Sequence, residues 1–144
     1  MTPPALSIRS YQPSDAHAVV RLWQDCGLTR PWNDPYKDIA RKLTVQPDLF
    51  LVGTLQDAVV AAVMAGYDGH RGWVNYLAVS PGCQRRGYAT QLIQAVERGL
   101  VALGCPKINL LVRGGNQAVI AFYEKLAFRQ DDVVSLGKRL IPDH

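Results

Sequence analysis

The segment Gln84-Arg85-Arg86-Gly87-Tyr88-Ala89-Thr90 carries the most specific chemistry in this sequence. It lies between an apolar, strand-like run, Tyr76-Leu77-Ala78-Val79, and a long amphipathic helical pattern. A helix N-terminus offers unpaired N–H groups and the positive end of its dipole, and together these bind phosphate. Gly87 lets a ligand approach the backbone. Arg85 and Arg86 add charge and paired donors, and the small Ala89 leaves room on the first turn. Two other phosphate loops are excluded, because the lysine of GxxxxGK[ST] and the glycines of GxGxxG are missing. Asp68 and His70 share a turn, and the ordinary pKa of histidine suits a base near neutrality. Cys26, Cys83 and Cys105 show no spacing of a metal site, so no metal is expected. Their wide, odd spacing fits a reducing cytoplasm.

These residues need elements to hold them. Ala5–Tyr11 alternates as a strand. Pro13-Ser14-Asp15 starts a helix with Ala16, Val19, Val20 and Trp23 on one face, stopped by Gly27. Asp34-Pro35 starts a second helix, with Asp34 as its cap. Leu49–Leu55 and Ala58–Tyr67 read as a hairpin around Gln56-Asp57, and Trp73–Ser80 as a further strand. After the Pro81–Gly87 loop, Ala89, Leu92, Ile93, Val96 and Leu100 mark one face of a helix that ends at Gly104. Lys107–Val112 is a strand and Asn116–Leu126 a short helix. Phe128–Asp131 and Val133–Ile141 are the last expected strands. The unit from 73 to 112 is a parallel crossover.

The composition sets the class. With 144 residues, 48% hydrophobic and 19% charged, the chain is one ordinary globular domain over 1–144. No apolar run is long enough to span a membrane, and no secretory signal is expected from Met1-Thr2-Pro3-Pro4. The net charge of +4 is uneven: residues 1–72 hold seven basic and seven acidic groups, and residues 73–144 nine and five. An anionic partner for the second half is the simplest functional reading.

The loop QRRGYA after Tyr76–Val79, followed by Asn116 and Phe122-Tyr123-Glu124-Lys125-Leu126-Ala127-Phe128, resembles the GCN5-related N-acetyltransferase (GNAT) superfamily. The runs RPWNDPYKDI, YDGHRG, GCPKI and LGKRLI are similar to the small bacterial YpeA-like acetyltransferases. The resemblance implies a single-domain α/β GNAT fold. Its mixed, mostly antiparallel sheet has about six to seven strands, helices on both faces, and a splayed pair formed by 73–80 and 107–112. It implies acetyl-CoA as co-substrate, with Gln84, Arg85, Arg86, Gly87, Tyr88, Ala89 and Thr90 around the pyrophosphate. Leu77, Ala78 and Val79 would lie along the pantetheine, where a bulge turns one N–H toward the thioester oxygen. Asn116 would bond the pantetheine arm, and Tyr123 would bind there too and protonate the leaving thiolate.

Two departures matter. Ala127 stands where glycine is usual. The strand at 73–79 lacks the carboxylate that many relatives use as base, and offers only Asn75 and Tyr76. His70 or Asp68 is then the candidate base, with a water wire as the other route. The resemblance places acceptor choice in residues 26–48, where Arg30, Trp32, Asn33, Asp34 and Tyr36 form a rim with an apolar wall and a cation–π face for an amine. The expected reaction is direct attack by a primary amine, of a small molecule or amino acid first and of a protein N-terminus or lysine second. A non-catalytic acyl-CoA sensor is the rival class. Nucleic acid and membrane are not expected partners, and the chain is a monomer or a homodimer.

Overall fold

The period-two pattern of Ala61–Ala65 decides how the molecule is layered. In the computed structural model, which describes residues 2–143, Ala61, Val63 and Ala65 enter one buried cluster, and Ala62 and Met64 enter another. The strand that carries them, β3 (Ala58–Tyr67), is the middle of a five-stranded sheet. Its neighbours in order are β1 (Ser7–Ser10), β2 (Phe50–Leu55), β3, β4 (Gly72–Val79) and β5 (Ile108–Leu110). All pairs are antiparallel except β4 with β5.

Helices cover both faces. α1 (Ala16–Asp25) and α2 (Pro35–Lys42) bring Val19, Val20, Leu22, Trp23 and Ile39 onto Phe50, Val52 and Ala78. α3 (Tyr88–Ala102) and α4 (Gln117–Lys125) bring Leu92, Ile93, Val96, Leu100 and Tyr123 onto the opposite face. The helix signals read from sequence act locally. The Asp34 carboxylate accepts the N–H groups of Tyr36 and Lys37 at 2.9 and 3.4 Å. Asp15 accepts the Gln12 N–H at 2.8 Å and a two-pronged bond from Arg9 at 2.7 and 2.9 Å.

The sheet corrects the expectation of six to seven strands. Neither Phe128–Asp131 nor Val133–Ile141 forms a ladder. Only three residues of 107–112 are strand, so β5 offers little edge to pair with. Residues near 131 are held beside β5 by side chains instead: the Asp131 carboxylate takes bonds from Lys107 and Asn109 at 3.1 and 2.8 Å. Val133, Val134, Leu136, Leu140 and Ile141 are then exposed, and Asp143 docks on α2. Among the described residues no helix is long and apolar enough to cross a membrane.

Candidate active site

β4 is irregular where the chemistry is expected. Ala62 pairs with Ala78 and Met64 with Asn75, so Val63 alone faces both Tyr76 and Leu77. This is a bulge, and Tyr76 sits in it with a left-handed φ of 54°. The parallel ladder to β5 joins Gly72, Trp73 and Val74 to Ile108, Asn109 and Leu110 and then stops. Beyond Val74 the β5-facing edge of β4 has no strand partner among the described residues. The bulge therefore lies just beyond the end of the β4–β5 ladder. Leu77 and Val79 pack toward α3 and α4 while Ala78 packs toward α1. Their side chains pack in the core, which leaves only their backbone for any ligand.

The loop follows directly. The Gln84 side-chain amide and the Cys26 thiol both donate to the Val79 carbonyl, at 3.0 and 3.2 Å, and fix the exit of β4. Burial pushes the Cys26 thiol pKa up, so this cysteine is a packing group. Arg85 at φ 65° and Gly87 at φ 82° then turn the chain into α3. Gly87 is the residue before the helix, and no side chain caps α3. The first N–H groups of α3, from Tyr88, Ala89 and Thr90, are therefore left for a ligand. A Cβ on Gly87 would meet nothing within 4 Å, so the space in front of it is open. Tyr88 is buried and its hydroxyl donates to Pro4 at 2.6 Å, so only its backbone can serve the site. Arg85 and Arg86 are exposed.

Asn116 caps α4, accepting the Val119 N–H at 3.3 Å, and is exposed. Tyr123 is buried between Phe122 and Phe128, edge-to-face at 5.0 and 5.2 Å. It belongs to the same cluster as Leu77, Val79 and Tyr88. Burial pushes its phenol up to about 12, so it keeps its proton at neutral pH. It also borders a groove of about 940 Å³ between β5, α4 and residues 126–135, which the Gln84–Thr90 loop does not line.

The two base candidates fall elsewhere. Asp68 accepts the N–H groups of His70 and Arg71 and the Trp73 indole N–H, at 2.8, 2.7 and 3.1 Å. Those bonds, the Arg71 one first, hold its pKa below the usual carboxylate range. This turn precedes Gly72, whereas the bulge lies five residues further along β4, about 16 Å at ~3.3 Å per residue. Sequence reading missed what does reach the bulge. The Tyr76 hydroxyl donates to Asp38 on α2 at 2.7 Å, and its ring stacks on Trp23 at 4.0 Å. Burial, then Asp38, raise the Tyr76 pKa far above its usual value. A carboxylate of α2 thus meets the side chain of the bulge residue, and no local pattern in the sequence links positions 38 and 76.

Of the rim, Trp32 and Tyr36 are half-exposed. Arg30 is engaged by the Gly27 and Thr29 carbonyls at 2.7 and 2.9 Å, so it is spent on the turn. Asp34 caps α2, and Asn33 accepts a bond from Arg139.

The chain is similar to known proteins along almost its whole length. Residues 16–128 match the model of the acetyltransferase (GNAT) family. An acetyltransferase of Sodalis glossinidius is 54% identical over 139 residues, covering 96% of this chain and 98% of the relative. Among solved structures, Ard1 of Thermoplasma volcanium superposes with a TM-score of 0.76 at 26% identity, over 87% of this chain and 83% of that one. AAC(6')-Iy, solved with a CoA-linked bisubstrate analogue, reaches a TM-score of 0.77 over 94% of this chain and 99% of its own at 18% identity, a likeness of fold alone. With the bulged β4, the uncapped α3 and these matches together, the chain belongs to the GNAT acetyltransferase family.

Proposed function

We propose that this protein transfers the acetyl group of acetyl-CoA to a primary amine, with a small molecule or amino acid as the preferred acceptor. The observation that carries the reading is the bulge at Tyr76–Leu77 beside the early end of the β4–β5 ladder, directly ahead of an uncapped helix N-terminus. The Gln84–Thr90 backbone and Arg85–Arg86 suit a pyrophosphate. Leu77, Ala78 and Val79 present backbone along the opening, and one N–H there polarises the thioester carbonyl. Asn116 serves both its helix and the pantetheine arm. The amine nitrogen attacks the carbonyl carbon, the C–S bond breaks, and Tyr123 gives its proton to the leaving sulfur. The nitrogen loses its proton through Tyr76, which hands its own to Asp38. The pair replaces His70 and Asp68 in this role because it stands at the bulge. A chain that uses this cofactor suits the cytoplasm.

The test is thermal unfolding with acetyl-CoA, for the wild type and an Arg86→Ala, Gly87→Glu double variant. A hundredfold excess over Kd stabilises the folded state by about 2.7 kcal/mol, so the wild-type midpoint rises and the variant's does not. Thiol release on adding amines then separates the enzyme from a sensor. With a competent amine, Tyr123→Phe is expected to lower kcat by about a hundredfold while leaving the acetyl-CoA shift in place. Unchanged turnover removes Tyr123 as the acid.

A further inference from the structure

Residues 137–143 end on α2, beside the reaction centre proposed above. The Asp143 side chain is 3% exposed. It accepts the Asp34 N–H at 2.7 Å and Arg41 Nη2 at 2.6 Å, with Arg139 Nη1 3.8 Å away. Its backbone carbonyl accepts Lys37 Nζ at 2.8 Å. Arg41 turns its other nitrogen to Asp38 at 3.3 Å, and Asp38 holds the Tyr76 hydroxyl. The seat is therefore two side chains from the bulge.

What leads to this seat is held weakly. Leu136 and Leu140 are 91% and 82% exposed. The segment gains almost nothing from apolar burial and hangs on one carboxylate, with Arg139 on Asn33 as a second polar tie. Charge-assisted bonds of this kind are strong and specific for carboxylate. A tethered group competes with a free one only up to its effective concentration, which is millimolar for a flexible tether.

We propose that Asp143 is a displaceable occupant of the acceptor's carboxylate seat, so that the acceptor is an amine that also bears a carboxylate. Arg41 and the Asp34 N–H select that group, and Lys37 holds the adjoining backbone carbonyl of the tail. The chain's own tail fills the seat until the acceptor arrives. This rests on the transferase reading, and it gives Arg41 a role in specificity.

Trypsin reads the seat, because Lys138 and Arg139 lie in the tail. Cleavage after these residues is followed by mass spectrometry, with cleavage after Arg98 inside α3 as the report on global unfolding. Asp143→Asn is expected to speed the tail cuts by on the order of fivefold, as local opening becomes cheap, with no change at Arg98. Glutarate, which has two carboxylates and no amine, is the probe. At about 50 mM, above the expected effective concentration, it should speed the tail cuts of the wild type against sodium chloride of equal ionic strength. Arg41→Gln should be fast already and indifferent to glutarate. Tail cuts at the wild-type rate in Asp143→Asn overturn the seat. A faster Asp143→Asn with a wild type unmoved by glutarate overturns displacement and leaves a fixed anchor. The acetyl-CoA shift in the same proteins keeps the two readings apart, since it depends on the Gln84–Thr90 loop and not on the tail.

Discussion

α1, α3 and α4 end with the same pair of hydrogen bonds. The N–H of Leu28, Cys105 and Phe128 reaches back to Trp23, Leu100 and Tyr123, and the residue before each donates to Gln24, Val101 and Glu124. This closing motif requires a left-handed residue just past the helix. Gly27 and Gly104 supply it at φ 69° and 80°, but the third is Ala127, at φ 70°. A left-handed residue with a Cβ costs about 1–2 kcal/mol, part of which a glycine gives back in unfolded-chain entropy. Ala127→Gly is therefore expected to stabilise the fold by about 1 kcal/mol, roughly 3 °C in Tm, read by calorimetry. The departure from glycine was legible in the sequence, as was the Asp34 cap, because both are local. The Tyr76–Asp38 bond was not legible, because it joins two elements that only the finished sheet brings together.

At the scale of elements, β4 does the positioning. Its start is pinned between α3 and β5: a Cβ on Gly72 would stand 2.9 Å from both Cys105 Sγ and Leu100 Cδ1. Gly72→Ala is expected to cost about 1–3 kcal/mol by overpacking, visible as a lower urea midpoint. Its far end is left free by the short β5, and that freedom makes the opening. Hydrophobic period revealed all four helices and the first four strands, since each buries a face. The same reasoning failed on Val133–Ile141. Its alternation has the form of a strand, but alternation shows only that a segment can pair. Whether it does depends on an edge, and β5 provides three residues of one.

At the scale of the molecule, two carboxylates tie distant parts together. Asp15 joins the first strand to the start of α1, and Asp143 joins the tail to α2. Both pKa values are depressed, by the Arg9 bond first in one and the Arg41 bond first in the other, and that of Asp143 falls to about 2. In the unfolded chain such groups take up a proton near 3.9. The unfolded state then binds more protons, so their contribution is whole above that pH and is lost as pH falls through the folded values. The amide chemical shifts of residues 137–143 should move toward random-coil values between about pH 4 and 2, before those of the sheet do. A tail whose shifts do not change over that interval would show that Asp143 does not hold it.

The stack of Trp23 on Tyr76 has an optical consequence. Trp23 is fully buried, whereas Trp32 and Trp73 are 51% and 36% exposed. Acrylamide should quench the red-edge emission of the exposed pair and spare the blue component of Trp23. Because Trp23 touches the bulge and Trp32 adjoins the residue that Arg139 holds, the two colours would follow the bulge and the tail separately, with no added label.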